Sequence, residues 1–113
     1  MDQWNVIFNK GATYQTTVTM TGVTDIASAT AWRLICAFPD QAPFLTASTA
    51  NGMITAGASP AQKIITVPAA TTATFDTGNG RFDFEIEWAG GIIRRYVAGG
   101  NLQVNPATGE VLP

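Results

Sequence analysis

The chain has 113 residues, 46% of them hydrophobic and 12% charged, with a formal net charge of −2, one cysteine and no histidine. Such a length makes a single domain over residues 1–113, able to build a core without metal or disulfide staples. The lone Cys36 rules out an internal disulfide, and the missing histidine removes the commonest general base and the commonest metal ligand together.

Charged residues reach about half their usual share, so the surface is mostly neutral and polar, as suits a protein packed against others. The plainer reading is a soluble, threonine-rich β domain. The basic residues Lys10, Arg33, Lys63, Arg81, Arg94 and Arg95 lie scattered, with no stripe to neutralise phosphates, so no nucleic-acid partner is expected. Apolar runs of a few residues are too short for a bilayer, and no membrane insertion is expected. The opening MDQWNVIFNK lacks a basic leader and a continuous apolar core, which predicts a chain made and kept, or assembled, in the cytosol.

In chain order, Trp4 to Phe8 predicts a short strand with Trp4, Val6 and Phe8 on one face, and Asn9-Lys10-Gly11 a turn. From Ala12 to Thr21, Tyr14, Thr16, Val18 and Met20 alternate with Gln15, Thr17 and Thr19, a half-buried strand with a threonine exterior. A loop bearing Asp25 precedes a strand from Thr30 to Phe38, where Trp32, Leu34, Cys36 and Phe38 share a side. Ile35 on the other side predicts cover on both, and Cys36 within this apolar run predicts a buried, inert thiol. Pro39 to Pro43 breaks the pattern, and a brief strand follows at Phe44 to Thr46. Asn51-Gly52 is a turn signal before Met53 to Thr55, and Lys63 to Val67 resumes strand character. PAATTATF from Pro68 predicts one helical turn, proline suiting the first helical position.

The strongest pattern is RFDFEIEWAGGIIRRYVA, in which Phe82, Phe84, Ile86 and Trp88 alternate with Arg81, Asp83, Glu85 and Glu87. A two-residue Gly90-Gly91 turn then returns the strand from Ile92 to Val97. In that register Glu87 faces Arg94 as a structural cross-strand pair. Glu85 falls opposite Tyr96, and Arg95 points inward opposite Ile86, where it needs a bulge or a carboxylate such as Asp25 or Asp76. A strand at Asn101 to Val104 and a C-terminal tail over residues 105–113 complete the chain. Seven to eight short strands between turn residues predict an all-β fold, an immunoglobulin-like antiparallel β-sandwich, with a small closed barrel as runner-up.

Chemistry finds little purchase. The carboxylates of Asp83, Glu85 and Glu87 read as a solvated face in preference to a glycosidase pair. Asp25, Asp40, Asp76 and Glu110 are too dispersed for a calcium loop, the glycines lack a Walker lysine, and Ser28, Ser48 and Ser59 have no base to activate them. The expectation is a protein that is not an enzyme, with no cofactor and no metal site. Trp4, Val6 and Phe8, within a docking arm over residues 1–9, are the candidate partner-docking residues, an aromatic edge that either packs home or docks on a neighbour.

Four segments, KGATYQTTVTM, TDIASATAWRLICAF, LTASTANGMITAG leading through KIITVPAATTATF, and GRFDFEIEWAGGIIRRYVAGGNLQVNP, together resemble short tail-associated proteins of bacteriophages and prophages. They are similar to the N-terminal domain of phage baseplate upper proteins. Gly11, Asp25, Asn51, Gly52, Ile54, Pro68, Ala69, Thr72, Asp83, Glu85, Gly91, Arg95, Gly100 and Val104 occupy the places of that pattern, and their order carries the match. Asp25-Ile26-Ala27-Ser28 departs from the family's Leu-Thr-Gly wording. The chain resembles the stand-alone members, without a following stalk or fibre. The resemblance implies a virion structural protein of the tail, baseplate or fibre-attachment region, assembled in the host cytoplasm in several symmetric copies and docked on other virion proteins. The alternatives are a capsid decoration (cement) protein and a carbohydrate-binding module for host-surface glycans, with Tyr14, Tyr96 and Trp4 as its candidate aromatics.

Overall fold

A computed structural model describes residues 4–106 of the chain. Its strands are β1 (Val6–Asn9), β2 (Tyr14–Thr19), β3 (Ala31–Ala37), β4 (Leu45–Ser48), β5 (Ile54–Ala56), β6 (Gln62–Val67), β7 (Gly78–Trp88) and β8 (Ile92–Asn105). A 3₁₀ turn spans Ile26–Ser28, and the one-turn helix α1 spans Ala69–Thr72 after Pro68.

Two sheets form, in the orders β1-β8-β7-β3-β4 and β2-β6-β5. The central strands β8-β7-β3 facing β2-β6-β5 reproduce the GFC and BED sheets of the immunoglobulin sandwich, with β4 added beside β3 as in variable-type domains. Trp32, 2% exposed on β3, stands on the strand that carries the buried tryptophan of that fold. The fold class is therefore the expected all-β, immunoglobulin-like sandwich of eight strands, with one departure from a wholly antiparallel arrangement. β1 runs parallel to β8, from Val6↔Leu102 to Asn9↔Asn105.

Alternation decides which side chains enter the core. Along β3, Trp32, Leu34 and Cys36 turn inward, and along β7 Phe82, Phe84 and Ile86 do the same in direct register with them. Val6, Phe8, Leu102 and Val104 continue this layer, and Ile54, Ile65 and Val67 close it from the smaller sheet. Phe8, Tyr14, Phe44 and Phe75 lock one end through edge-on contacts, with ring centroids 4.8–5.2 Å apart. Ile35 is half-buried on the opposite face of β3, a strand flanked by β7 and β4.

The Asn51-Gly52 turn forms as predicted, and the asparagine side chain does most of the holding. Its Oδ1 accepts from the N–H groups of Ser48 and Met53, both at 3.0 Å, and its Nδ2 donates to the Thr46 carbonyl at 2.7 Å, while Gly52 takes φ 82°. Thr72 plays the corresponding part at the other end. Fully buried on α1, its hydroxyl accepts from the Gly11 N–H at 3.1 Å and lies 2.8 Å from the Ala12 carbonyl, tying the β1–β2 turn to the helix.

The last strand departs from expectation. In place of two short segments, β8 is one strand of 14 residues that includes Asn105, the first residue assigned to a tail. The rest of that tail, except the exposed Pro106, lies outside the described residues, as does the start of the docking arm at residues 1–3. Two register shifts in β8, around Asp83 and between Phe84 and Glu85, absorb the extra length as bulges. At about 3.3 Å per residue such a strand runs ~46 Å, close to the 50 Å long axis of the molecule.

Candidate functional site

The proposed docking residues pack home. Val6 and Phe8 have no exposure, and Trp4 is half-buried with its ring edge-on to Phe82 and Phe84 at 4.9 and 5.3 Å. Parallel pairing with β8 draws Val6 and Phe8 into the core, so these two side chains belong to the sandwich, while Trp4 keeps a half-buried place at the rim. On the other side of β1, Ile7 is 46% exposed.

The Glu87–Arg94 pair does not form. Trp88 faces Ile92, which makes Ala89-Gly90-Gly91 a three-residue turn and moves every pairing by one place: Glu87 faces Ile93, Ile86 faces Arg94, and Glu85 faces Arg95. Gly90 and Gly91 both adopt positive φ, 85° and 75°, which supplies the left-handed residues a longer turn needs. Arg94 lies over the Trp88 ring, 5.3 Å from its centroid, and Trp88 donates its indole N–H to the Asp25 carbonyl at 2.8 Å. The shift also turns Arg95 outward, where it meets Asp83 and Glu85 and neither Asp25 nor Asp76.

On the outer face of the five-stranded sheet, charges from three strands converge. Arg33 of β3 donates to Glu85 at 3.3 Å and to Glu87, and Arg95 of β8 donates to Glu85 at 3.4 Å with its Nε 3.8 Å from Asp83. The Glu85 side chain is only 8% exposed, so the middle carboxylate of the expected solvated row is covered by guanidinium groups, while Asp83 and Glu87 stay partly exposed. The Arg33 pKa is raised, chiefly by its hydrogen bond to Glu87. Two arginines thus hold three carboxylates, and Arg81 at the end of the same row bonds the Asn101 side chain at 3.2 Å instead of a carboxylate. Oxygens already engaged by guanidinium N–H groups are poor candidates for proton transfer to a substrate. Among the described residues no three metal-ligating side chains gather, and no helix is long and apolar enough to cross a membrane.

Two concavities stand out among the described residues. A groove of about 560 Å³ opens between the sheets, with Trp4 and Phe84 set against Val18 and Met20 of the β2 segment and Tyr96 and Val97 of β8. It is the more apolar one, and Trp4 and Tyr96 both line it, while Tyr14 packs edge-on against Phe8 with its hydroxyl within hydrogen-bonding reach of the Trp4 indole. The second, about 490 Å³, lies where β1, β8 and β7 adjoin, lined by Asn5, Ile7, Asn79, Arg81, Asn101 and Gln103. Pairing register explains this amide-rich surface: Ile7, Gln103 and Asn79 form one cross-strand row, and Arg81 with Asn101 the next. Finally, the tip of the β7–β8 hairpin exposes Ile92 and Ile93, at 55% and 50%, on opposite faces.

Sequence reasoning missed the groove and the arginine–carboxylate lattice, because both join residues far apart in the chain. A signal for the lattice existed in Arg33, a lone cation in an otherwise apolar strand. No protein-family model matches the chain, and no curated protein matches it.

Proposed function

We propose that this chain is a non-enzymatic docking domain of a bacteriophage particle, working in the tail, baseplate or fibre-attachment region by binding other virion proteins. The order of its motifs supports the phage assignment. The observation that carries the docking role is the open flank of the sandwich, where an apolar groove lies between β2 and β8. Isoleucines exposed at the tip of the long β7–β8 hairpin add apolar surface. Charged residues are only 12% of the chain, and the ion pairs among the described residues gather on one sheet face, so the flank with the groove offers little to repel a neighbour. Burial of apolar surface at roughly 25 cal/mol per Å², less the ordering cost, supplies the association energy.

Co-purification with the proteins encoded beside it tests this reading. Wild type is expected to retain one of them, and a variant with Ile92 and Ile93 both changed to Ser to bind more weakly. Absence of any such partner sinks the proposal. Copy number in the particle then separates a tail ring, about a dozen copies with cyclic symmetry, from a capsid decoration present in far larger number. The amide-lined concavity favours a second reading, recognition of a host glycan through Asn79, Asn101 and Gln103. A glycan array without hits dismisses it.

A further inference from the structure

An open strand edge presents unpaired N–H and C=O groups that another strand takes up, and folded proteins blunt such edges with brevity, charge, proline, bulges or a cover. Most edges of this sandwich are blunted. On β4, four residues long, the outward Thr46 carbonyl and Ser48 N–H are occupied by the Asn51 side chain. β5 has three residues, and β1 has four and runs into Lys10. The stretch of β8 beyond the reach of β1 carries Arg94 and Arg95 and both register shifts.

Among the described residues, β2 has none of these protections. Its six residues, Tyr14–Thr19, include no charge, proline or glycine, and it pairs with β6 in unbroken register. Side-chain hydrogen bonds of Gln15 and Thr19 run to Thr66 and Gln62 on β6, the side already paired. The Met20 N–H donates to the Ala61 carbonyl, which sets the phase of the ladder. Even-numbered residues of β2 bond β6, and the backbone groups of Gln15, Thr17 and Thr19 point to the open side.

We infer that β2 pairs antiparallel with β2 of a second copy, about a two-fold axis at Thr17. Opposed residues in an antiparallel pair share a face, so the axis must fall midway between one residue and its own copy, here Thr17, and not between successive positions. Centred on Thr17, the register sets Thr17 against Thr17 and Gln15 against Thr19, and each of these three pairs exchanges two backbone bonds, about six in all. Every outward group in the strand is then satisfied. Centring on Thr16 would leave Thr19 to pair outside the strand. On the core-facing side, Thr16 meets Val18 and Tyr14 meets Met20, so apolar groups lie together at the rim of the groove that Val18 and Met20 line. No like charges oppose one another, which is why a second copy fits this edge. The result is a six-stranded sheet across the dimer.

This inference deepens the docking role by naming one partner. A hydrogen-bonded antiparallel pair has its Cα atoms about 5.5 Å apart, within disulfide range, and native Cys36 is buried. Thr17→Cys, mildly oxidised, is therefore expected to give a disulfide-linked dimer, while Thr55→Cys on β5 does not. In sedimentation at roughly 100 μM, wild type is expected to dimerise and Thr17→Lys to associate at least ~10-fold more weakly, since each lysine faces its symmetry mate. Thr19→Lys provides an independent edge block, and circular dichroism verifies that both variants fold. A monomeric wild type, undiminished association of both lysine variants, or equal cross-linking through Thr55→Cys overturns the pairing. A monomer that still co-purifies with a neighbouring gene product retires the β2 pairing alone; a β2-paired dimer that binds no such product retires the wider docking role alone.

Discussion

Replacing Thr72 separates what its hydroxyl contributes from what its shape contributes. Thr72→Val keeps the branched side chain in its fully buried site and removes the oxygen, leaving the Gly11 N–H without its acceptor at 3.1 Å and the Ala12 carbonyl without its neighbour at 2.8 Å. An unpaired buried backbone group costs about 1–3 kcal/mol. Both bonds are only part-buried, so water recovers some of that, and the sum expected for the pair is ~1–3 kcal/mol. Thr72→Ser does the reverse: it keeps the hydroxyl and deletes one methyl, at a cost near 1 kcal/mol. For a domain of this size the valine variant should melt roughly 4–12 °C below wild type. Urea unfolding should show a lower midpoint with an unchanged slope. If Thr72→Val is as stable as wild type, or loses less than Thr72→Ser, then the hydroxyl clamp between the β1–β2 turn and the helix is not what holds this end of the sandwich.

Two further outcomes follow from the packing. A Cβ at Gly80 would stand 2.6 Å from the Ala37 carbonyl oxygen and 3.0 Å from Leu102 Cδ2; because the first contact is backbone, Gly80→Ala should cost about 1–3 kcal/mol in thermal unfolding, and an unaffected melting temperature would contradict the close approach of β3 and β7. Burial pushes the Cys36 thiol from 9.0 up to about 12, so the folded chain holds a proton that the unfolded chain releases above pH 9. Stability is therefore complete below pH 9 and falls between pH 9 and about 12, by up to ~1.4 kcal/mol per pH unit. Tyr14, raised mainly by burial, adds to the decline above pH 10. Urea titrations from pH 8 to 11 on wild type and Cys36→Ala measure it, and equal slopes would refute the thiol's part.

Local pattern alone was enough to place the inward faces. Trp32, Leu34 and Cys36, and Phe82, Phe84 and Ile86, sit in the core because alternation puts them on one side of their strands, and Asn51-Gly52 turns because its own side chain and left-handed glycine bring that about. Tertiary structure decided partners. The extra residue in the Ala89-Gly90-Gly91 turn sent Arg95 to Glu85 and freed Glu87 for Arg33, 54 positions away. Trp4, Val6 and Phe8 were legible as one apolar face, yet its destination depended on a parallel partner at the far end of the chain. A period of two names the buried face of a strand from its neighbours in sequence, but register and pairing are settled between distant segments, where one residue more in a turn reassigns every contact.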